Sequence, residues 1–300
     1  MTNKFKEGVI CSILSYLLWG ILPIYWKSIE VVPPFEILAH RIFWAFIFVG
    51  IILIKNDQLK EAIKVIKNKK SLLFIFLSAC MVTLNWGLYI WSVNSHHIVQ
   101  ASLGYYINPL IVVFFGVVFL KEKLTKGQIL ALVIAALGVL ILTVEYGKVP
   151  WISISLAVTF ALYGLLKKLT NAGSMISLGI ETALVTPFAL IYIIYRQATG
   201  VGALSHISAL QTVLLICSGA VTAIPLILFA KGAKRIPFST LGFIQYISPT
   251  MSLLIGVFVF KETFTTVHLI SFGCIWLSLL IYSLSETKFF KKKKTEKVVI

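Results

Sequence analysis

Ten long apolar runs constrain this chain more than any other feature of its sequence. Each holds roughly 20 mostly apolar residues, the number a helix rising about 1.5 Å per residue needs to cross a hydrocarbon core of about 30 Å. Because lipid offers the backbone no hydrogen bonds, such runs must be helices; strands of a membrane barrel would alternate and be about half as long. The sequence therefore predicts an all-α polytopic membrane protein with ten transmembrane helices. The approximate helix centres are Leu17, Ala45, Val82, Val112, Ala135, Phe160, Leu184, Ile216, Leu253 and Ile275.

The basic residues lie between the apolar runs, and their distribution predicts the orientation of the chain. The 300 residues include 27 Lys and Arg against 11 Asp and Glu, a net charge of +16. We assign 22 of the 27 to the N-terminus, the even-numbered loops and the tail, four to the opposite side and one, Arg41, to a helix interior. This bias predicts that both termini are cytoplasmic, and no nucleic-acid partner is expected. The 22 include Lys167 and Lys168, and the four are Lys27, Lys148, Arg196 and Lys261.

The chain also carries an internal repeat. A shift of 140 residues places Tyr106-Ile-Asn-Pro109 on Tyr246-Ile-Ser-Pro249 and Lys121-Glu122 on Lys261-Glu262. With a slightly different offset, Ser15-Tyr-Leu-Leu-Trp-Gly20 resembles Thr159-Phe-Ala-Leu-Tyr-Gly164. Self-similarity over such a distance indicates two structurally related halves.

The repeat defines the expected domain organisation. Residues 8–145 and 150–285 form two repeats of five helices each, and residues 286–300 form a basic cytoplasmic tail that we expect to lie on anionic lipids. Because five is odd, the second half enters the membrane from the side opposite the first. This inverted topology is the plan of many secondary transporters, which expose a central site to either side alternately.

Five motifs along the chain point together to one family. They are Tyr16-Leu-Leu-Trp-Gly20, Glu36-Ile-Leu-Ala-His-Arg41, Asn85-Trp86, Ala101-Ser-Leu-Gly-Tyr-Tyr-Ile-Asn-Pro109 and Ser239-Thr-Leu-Gly-Phe-Ile-Gln-Tyr-Ile-Ser-Pro249. In combination they resemble the motifs of the RarD proteins, EamA-type members of the drug/metabolite transporter superfamily, and the resemblance covers nearly the whole chain. It implies a ten-helix protein of the inner (cytoplasmic) membrane with two EamA repeats, acting as a transporter.

Arg41 and Glu181 are the charged candidates for the transport site. A charge in mid-bilayer costs at least about 2.5 to 3.5 kcal/mol, so each should face protein or water. The 140-residue shift places one on the other. Each lies about 9 Å deep from opposite faces, which leaves roughly 12 Å of depth between them and argues against a direct salt bridge. We hypothesise that Arg41 attracts anions near the outer gate and Glu181 attracts cations near the inner gate. Alternatively, each only caps neighbouring helix ends or binds water.

Polar and aromatic residues in mid-span supply further cavity candidates. Those near Pro109 and Pro249 precede an expected break, since proline frees a carbonyl and kinks a spanning helix. Ordinary hydrogen bonding between helices is the alternative role for each of them. With Arg41 and Glu181, the candidates for substrate binding are His40, Asn85, Trp86, Tyr89, Tyr105, Asn108, Gln245, Tyr246, Trp19 and Tyr163.

These features favour a transporter over an enzyme. The chain has no HExxH, GxSG or Walker string, and its four cysteines form no CxxC pair, so we expect neither catalysis nor a metal or other cofactor. The predicted function is alternating-access secondary transport of small metabolites or drug-like molecules, as an exporter or exchanger. Coupling to H⁺, with His40 as a hypothetical carrier, or to another ion stays open. A lipid flippase or scramblase and a non-transporting sensor or partner-binding protein are the alternatives, and a homodimer is compatible with all of them.

Overall fold

The structure is a computed structural model that describes residues 3–95, 97–147, 149–261 and 265–296. The expectations that involve Lys148, Glu262 and residues 297–300 fall outside this part of the chain, as does the predicted contact of the tail side chains with lipid.

The described residues form an all-α bundle, and ten helical segments are long and apolar enough to span a membrane, which confirms the predicted fold class. Helices α10 and α11 together make one of these spans, while α3 is a short additional helix. The helices are α1 (Asn3–Lys27), α2 (Pro34–Lys55), α3 (Leu59–Lys67), α4 (Lys69–Asn94), α5 (Ile98–Val118), α6 (Lys126–Tyr146), α7 (Trp151–Leu169), α8 (Ser174–Ala198), α9 (Ala209–Arg235), α10 (Phe238–Gln245), α11 (Ile247–Phe258) and α12 (Thr266–Glu296).

The two proline-bearing segments of the repeat fold differently. Helix α5 continues without interruption through Pro109, so the break expected there is absent. The matching span is divided at Tyr246, between α10 and α11. Pro249 favours a division at this point, because a proline ring clashes with the carbonyl four residues earlier, here that of Gln245, where α10 ends. The clash alone does not decide the outcome, since α5 accommodates Pro109.

Helix packing follows the repeat. Counterpart helices are α1 and α7, α2 and α8, α4 and α9, α5 and α10–α11, and α6 and α12. Helix α1 packs against α9 and α11, and α7 correspondingly packs against α4 and α5. The pairs α2 with α8, α5 with α10, and α6 with α12 are each formed by counterparts. Exchanging the two halves therefore leaves the main packing pattern unchanged.

Hydrogen bonds between the helices repeat in the same way. The Ser15 hydroxyl on α1 donates to the Pro225 carbonyl on α9 at 2.9 Å. The Asn85 amide on α4 donates to the Thr159 hydroxyl on α7, also at 2.9 Å. Asn85 and Pro225 are 140 residues apart, and Ser15 and Thr159 are the matched positions of the other repeat motif. In each case the first span of one half is thus joined to the third span of the other half, through corresponding positions.

One end of the bundle carries the N-terminus and is here called the termini end. There Glu7, at the start of α1, pairs with Lys231 at 2.6 Å and with Arg235 at 3.3 Å in the last turns of α9. The start of α6 lies at this end too, with Gly127 against Ser285 of α12. The α1–α2, α4–α5, α6–α7 and α8–α9 connections lie at the opposite end.

Gly219 allows α2 and α9 to approach closely. A Cβ atom at this position would lie 2.5 Å from the Ala45 nitrogen and 2.6 Å from the Trp44 Cβ, so the backbones would have to separate. Small residues permit such approach between spanning helices, where van der Waals contact drives association. By contrast, a Cβ at Gly50 on α2 would meet no atom within 4 Å.

We therefore predict that Gly219→Ala lowers the stability of the purified protein by about 1 to 3 kcal/mol, the usual cost of overpacking. Gly50→Ala is the matched control and should leave the thermal unfolding midpoint unchanged or slightly higher, because alanine is the better helix former. Equal midpoints for the two variants, measured in the same detergent, would contradict the close approach of α2 and α9.

Candidate functional site

A cleft between the two halves of the bundle forms the centre of the candidate site. Its cavity volume is about 20 Å³, room for about one water molecule, within about 290 Å³ of space between the atoms that includes the open mouth. The first half contributes residues of α2 and α4, and the second half contributes residues of α7, α8 and α9. Most of the walls are apolar, with a few polar groups, as is usual for small-molecule sites. The lining residues are Ile42, Ala79, Val82, Thr83, Trp86, Tyr163, Leu178, Glu181, Thr182, Val185 and Leu226.

Glu181 lies at one end of the cleft, in the half of the bundle nearer the termini end, and is almost fully buried. Its Oε1 accepts hydrogen bonds from the Lys167 ammonium at 2.9 Å, from the Ser177 hydroxyl at 3.2 Å and from the Ser78 hydroxyl. The Lys167 ammonium also donates to Ser177 at 2.8 Å. Helices α4, α7 and α8 are thereby joined around one carboxylate oxygen.

Lys167 corrects one part of the sequence analysis. The sequence pattern assigns it to a loop, but it lies in the last turn of α7 with a side chain that is 0% exposed. Its neighbour Lys168 also turns inward and donates to the carbonyls of Ala233 and Ile236 at the end of α9. The sequence contains one indication of the pair of Lys167 with Glu181, because an acidic residue within a spanning helix is expected to have a cationic partner.

The second oxygen of Glu181 and the hydroxyl of Tyr163 are buried, and neither has a hydrogen-bond partner among the described residues. Both residues line the cleft. The Tyr163 ring is fully buried and stacks on Phe229 with an interplanar angle of 11°. Buried polar atoms are rarely left unpaired, so these two mark the place in the cleft where a polar group of a ligand or a water molecule would bind.

Arg41 lies toward the opposite end of the bundle. It is seven residues after Pro34, where α2 begins, and Glu36 lies in the first turn of that helix. Its Nε donates to the Thr222 hydroxyl on α9 at 3.0 Å. Its guanidinium carbon lies 4.7 Å from the ring centroid of Trp26 and 4.8 Å from that of Trp86. Trp86 also lines the cleft, so it connects the surroundings of Arg41 with those of Glu181.

Tyr89 and Tyr105 form an aromatic pair near Arg41. Their ring centroids are 6.0 Å apart, in an edge-to-face arrangement. Both hydroxyl groups are close enough to the guanidinium of Arg41 to interact with it electrostatically. The two residues are 37% and 51% exposed at the surface of the bundle, whereas Glu181 is 2% exposed.

Glu36 and His40 lie one turn apart on α2 but have different surroundings. Glu36 accepts from the backbone nitrogen of Ala203 at 2.6 Å and pairs with Arg196 at 3.3 Å, which ties α2 to α8 and to the following 3-10 turn. His40 is buried, and neither ring nitrogen has a hydrogen-bond partner among the described residues.

Most of the remaining candidates make contacts between helices. Asn85 donates to the Leu156 carbonyl at 2.8 Å as well as to Thr159. Asn108 donates to the Ala157 carbonyl at 2.5 Å and accepts from Gln245. The other two candidates are aromatic: Trp19 packs against Tyr16, Phe160 and Phe229, and Tyr246 is buried.

The structure therefore brings Trp86, Tyr163 and Glu181 together around the cleft, with Arg41, Tyr89 and Tyr105 beside Trp86. Sequence reasoning missed Lys167, Ser78, Ser177, Thr222 and Trp26. In the part of the chain that the structure describes, no group of three His, Cys, Asp or Glu residues is arranged to hold a metal ion.

Comparison with known proteins agrees with this architecture. Residues 6–144 match the model of the EamA-like transporter family. The chain is 43% identical to Uncharacterized transporter YojE of Bacillus subtilis (strain 168), over 97% of this chain and 98% of that protein. It is 36% identical to Protein RarD of Escherichia coli (strain K12), over 93% and 95% of the two chains. A solved crystal structure with 16% identity superposes with a TM-score of 0.70, over 93% and 98% of the chains, and so shares the fold.

The buried pair of Lys167 and Glu181 leads to a stability prediction. Lys167→Met leaves the Glu181 charge uncompensated and should destabilise the protein by about 3 to 5 kcal/mol, as removal of one partner of a buried ion pair does. Adding Glu181→Gln removes that charge and should restore most of the loss. The measurement is thermal unfolding of the single and double variants in one detergent.

Lys231→Met is the matched control, because Lys231 pairs with Glu7 at the same end of the bundle but both side chains are exposed, 37% and 44%. Exposed pairs contribute little, so this variant should unfold close to the wild-type temperature. A double variant less stable than Lys167→Met alone would show that the two residues do not act as a pair.

Proposed function

Because this chain belongs to the RarD family of EamA-type transporters, we propose that it is a secondary transporter that moves small metabolites or drug-like molecules through the central cleft by alternating access. The observation that carries the proposal is the cleft itself, which lies between the two halves and has Glu181 at one end and the indole partner of Arg41 at the other. A site shared by two repeats is what alternating access requires.

The packing pattern supports an inverted repeat. Exchange of the halves preserves the main helix contacts and the Ser15–Pro225 and Asn85–Thr159 bonds. Two halves that form equivalent contacts can exchange roles, so that a state open at one end has a counterpart open at the other. An odd number of spans in each half would then place the halves in opposite orientations across the membrane.

The basic residues support an orientation in which the termini end is cytoplasmic. The membership of the RarD family supports a location in the inner membrane. In this orientation, Lys167, Ser78 and Ser177 close the cytoplasmic side around Glu181. The proposed state is therefore one that is closed toward the cytoplasm. The ion pair serves as the cytoplasmic gate, and its rearrangement opens the cleft to the cytoplasm.

Coupling of transport to an ion, H⁺ or another, would act at this gate. One oxygen of Glu181 lies at the edge of the cleft without a hydrogen-bond partner among the described residues, where a cation that competes with the Lys167 ammonium would bind. Export or exchange of a solute against that ion is the expected mode of transport.

Thiol labelling tests alternating access. Thr83→Cys places a thiol on the cleft wall, in a background in which Cys11, Cys80, Cys217 and Cys274 are replaced by alanine. A membrane-impermeant thiol reagent should label it from outside in the otherwise wild-type protein. Adding Lys167→Met and Glu181→Gln should raise labelling from the cytoplasmic side several-fold. Leu84→Cys, next in sequence but not on the cleft wall, is the control for general accessibility.

Flux measurements separate the classes of function. Proteoliposomes are tested with a panel of metabolites and antibiotics, with and without a pH gradient, and separately with a fluorescent phospholipid. Solute flux that responds to the gradient and is lost in the double variant supports the proposal. Movement of the phospholipid alone indicates a flippase or scramblase. Labelling of Thr83→Cys from one side under all conditions, together with no flux of any kind, indicates a sensor.

A further inference from the structure

We propose that Arg41 binds the carboxylate of a small aromatic acid at the outer part of the central cleft. The inference deepens the proposed transport function, because it assigns a chemical class to the solute. It rests on the charge balance, the geometry and the surroundings of one guanidinium group.

Arg41 is the exception among the three arginines of the chain. Arg196 pairs with Glu36 at 3.3 Å, and Arg235 pairs with Glu7 at the same distance. Arg41 forms no ion pair with any acidic residue whose side chain the structure describes. A charge inside a spanning helix is costly and is usually compensated, so an arginine kept without a protein counter-ion indicates that an anion binds there during function.

The contacts of Arg41 fix its guanidinium and leave one edge available. Trp26 and Trp86 contact the guanidinium, with ring centroids 4.7 and 4.8 Å from its central carbon, and these cation–π contacts offset part of the cost of burying the charge. Thr222 accepts the hydrogen bond from Nε. The edge formed by the two terminal nitrogens has no hydrogen-bond partner among the described residues. Two parallel N–H donors in a plane match the two oxygens of a carboxylate.

The surroundings favour an acid with an apolar, planar body. The rings of Tyr89 and Tyr105 lie beside each other near Arg41, with centroids 6.0 Å apart. Trp86, whose ring contacts the guanidinium, also lines the cleft, and the other walls of the cleft include Val82, Leu226 and Tyr163. A ring attached to a carboxylate held at Arg41 would therefore lie beside these aromatic side chains, and it would enter the cleft between the two halves when the cleft widens.

Binding of radiolabelled benzoate to the full-length protein in nanodiscs, at pH 7, tests this inference. Benzamide is the matched competitor, because it has the same shape without the charge. We expect saturable benzoate binding that excess benzamide does not displace. Arg41→Gln should weaken binding by about tenfold to a hundredfold, the range for loss of hydrogen bonds to a charged group. Arg41→Lys should also weaken it, since lysine keeps the charge but lacks the planar pair of donors.

Two further variants guard against indirect effects. Thr222→Val releases Nε without removing a charge, so it should weaken benzoate binding while the unfolding temperature stays close to that of wild type; this variant decides the matter if Arg41→Gln fails to fold. Lys27→Gln removes an exposed cation near the same end of the bundle and should leave binding unchanged.

Other results would overturn the inference. These are absence of saturable benzoate binding, equal displacement by benzamide, wild-type affinity in folded Arg41→Gln, or displacement by chloride or phosphate at concentrations as low as those of unlabelled benzoate. If solutes cross proteoliposomes while benzoate binding fails, the proposed transport stands and only the assignment of the solute class is wrong. If benzoate binds but no solute crosses the membrane, the binding site at Arg41 stands and the proposed transport is wrong.

Discussion

A charge inside a lipid-solvated bundle must be compensated, and the core of this protein is arranged around that requirement. Lys167 and Glu181 compensate each other, and the hydroxyls of Ser78 and Ser177 complete the shell of the shared carboxylate oxygen. This interaction joins three helices from both halves at the termini end. Arg41 has no such partner among the acidic side chains that the structure describes, and two indole rings and one hydroxyl contact it instead. The two ends of the cleft therefore differ in chemistry although they are built on one framework.

The repeat explains both the common framework and the difference. Arg41 and Glu181 are corresponding residues, and each bonds to a hydroxyl on a counterpart helix, Thr222 on α9 and Ser78 on α4. The packing thus places a charged side chain at the same relative position in each half, Arg41 on α2 and Glu181 on α8. Opposite charges at those places give the two halves different chemistry, since a guanidinium can attract an anion and the Glu181 carboxylate forms an ion pair with Lys167. Symmetry of packing is compatible with asymmetry of binding.

The spans could be predicted from the sequence because hydropathy depends on the chain locally, whereas the partners of the charged residues depend on where distant helices meet. Lys167 shows the limit: its position near a helix end resembled that of a solvated loop charge, but its long side chain reaches Glu181, 14 residues later. The prolines show a second limit of prediction from sequence. Pro109 and Pro249 occupy similar motifs, but only the span that contains Pro249 is divided. The pair of Trp26 with Arg41 also required the tertiary structure.

A buried ion pair is well suited to a gate because its net contribution to stability is small, whereas the desolvation cost and the attraction between the charges are each large. The cost of removing both charges from water nearly offsets their attraction, so the closed arrangement is not strongly favoured over one in which both groups find water. An isolated charge is far more costly, so the two groups must separate together as water enters. In the proposed orientation, opening at Glu181 and hydration of the cytoplasmic side would then be a single event. In the same proposal, an anion bound at Arg41 would compensate the charge of that guanidinium and lower the cost of closing the outer side over it.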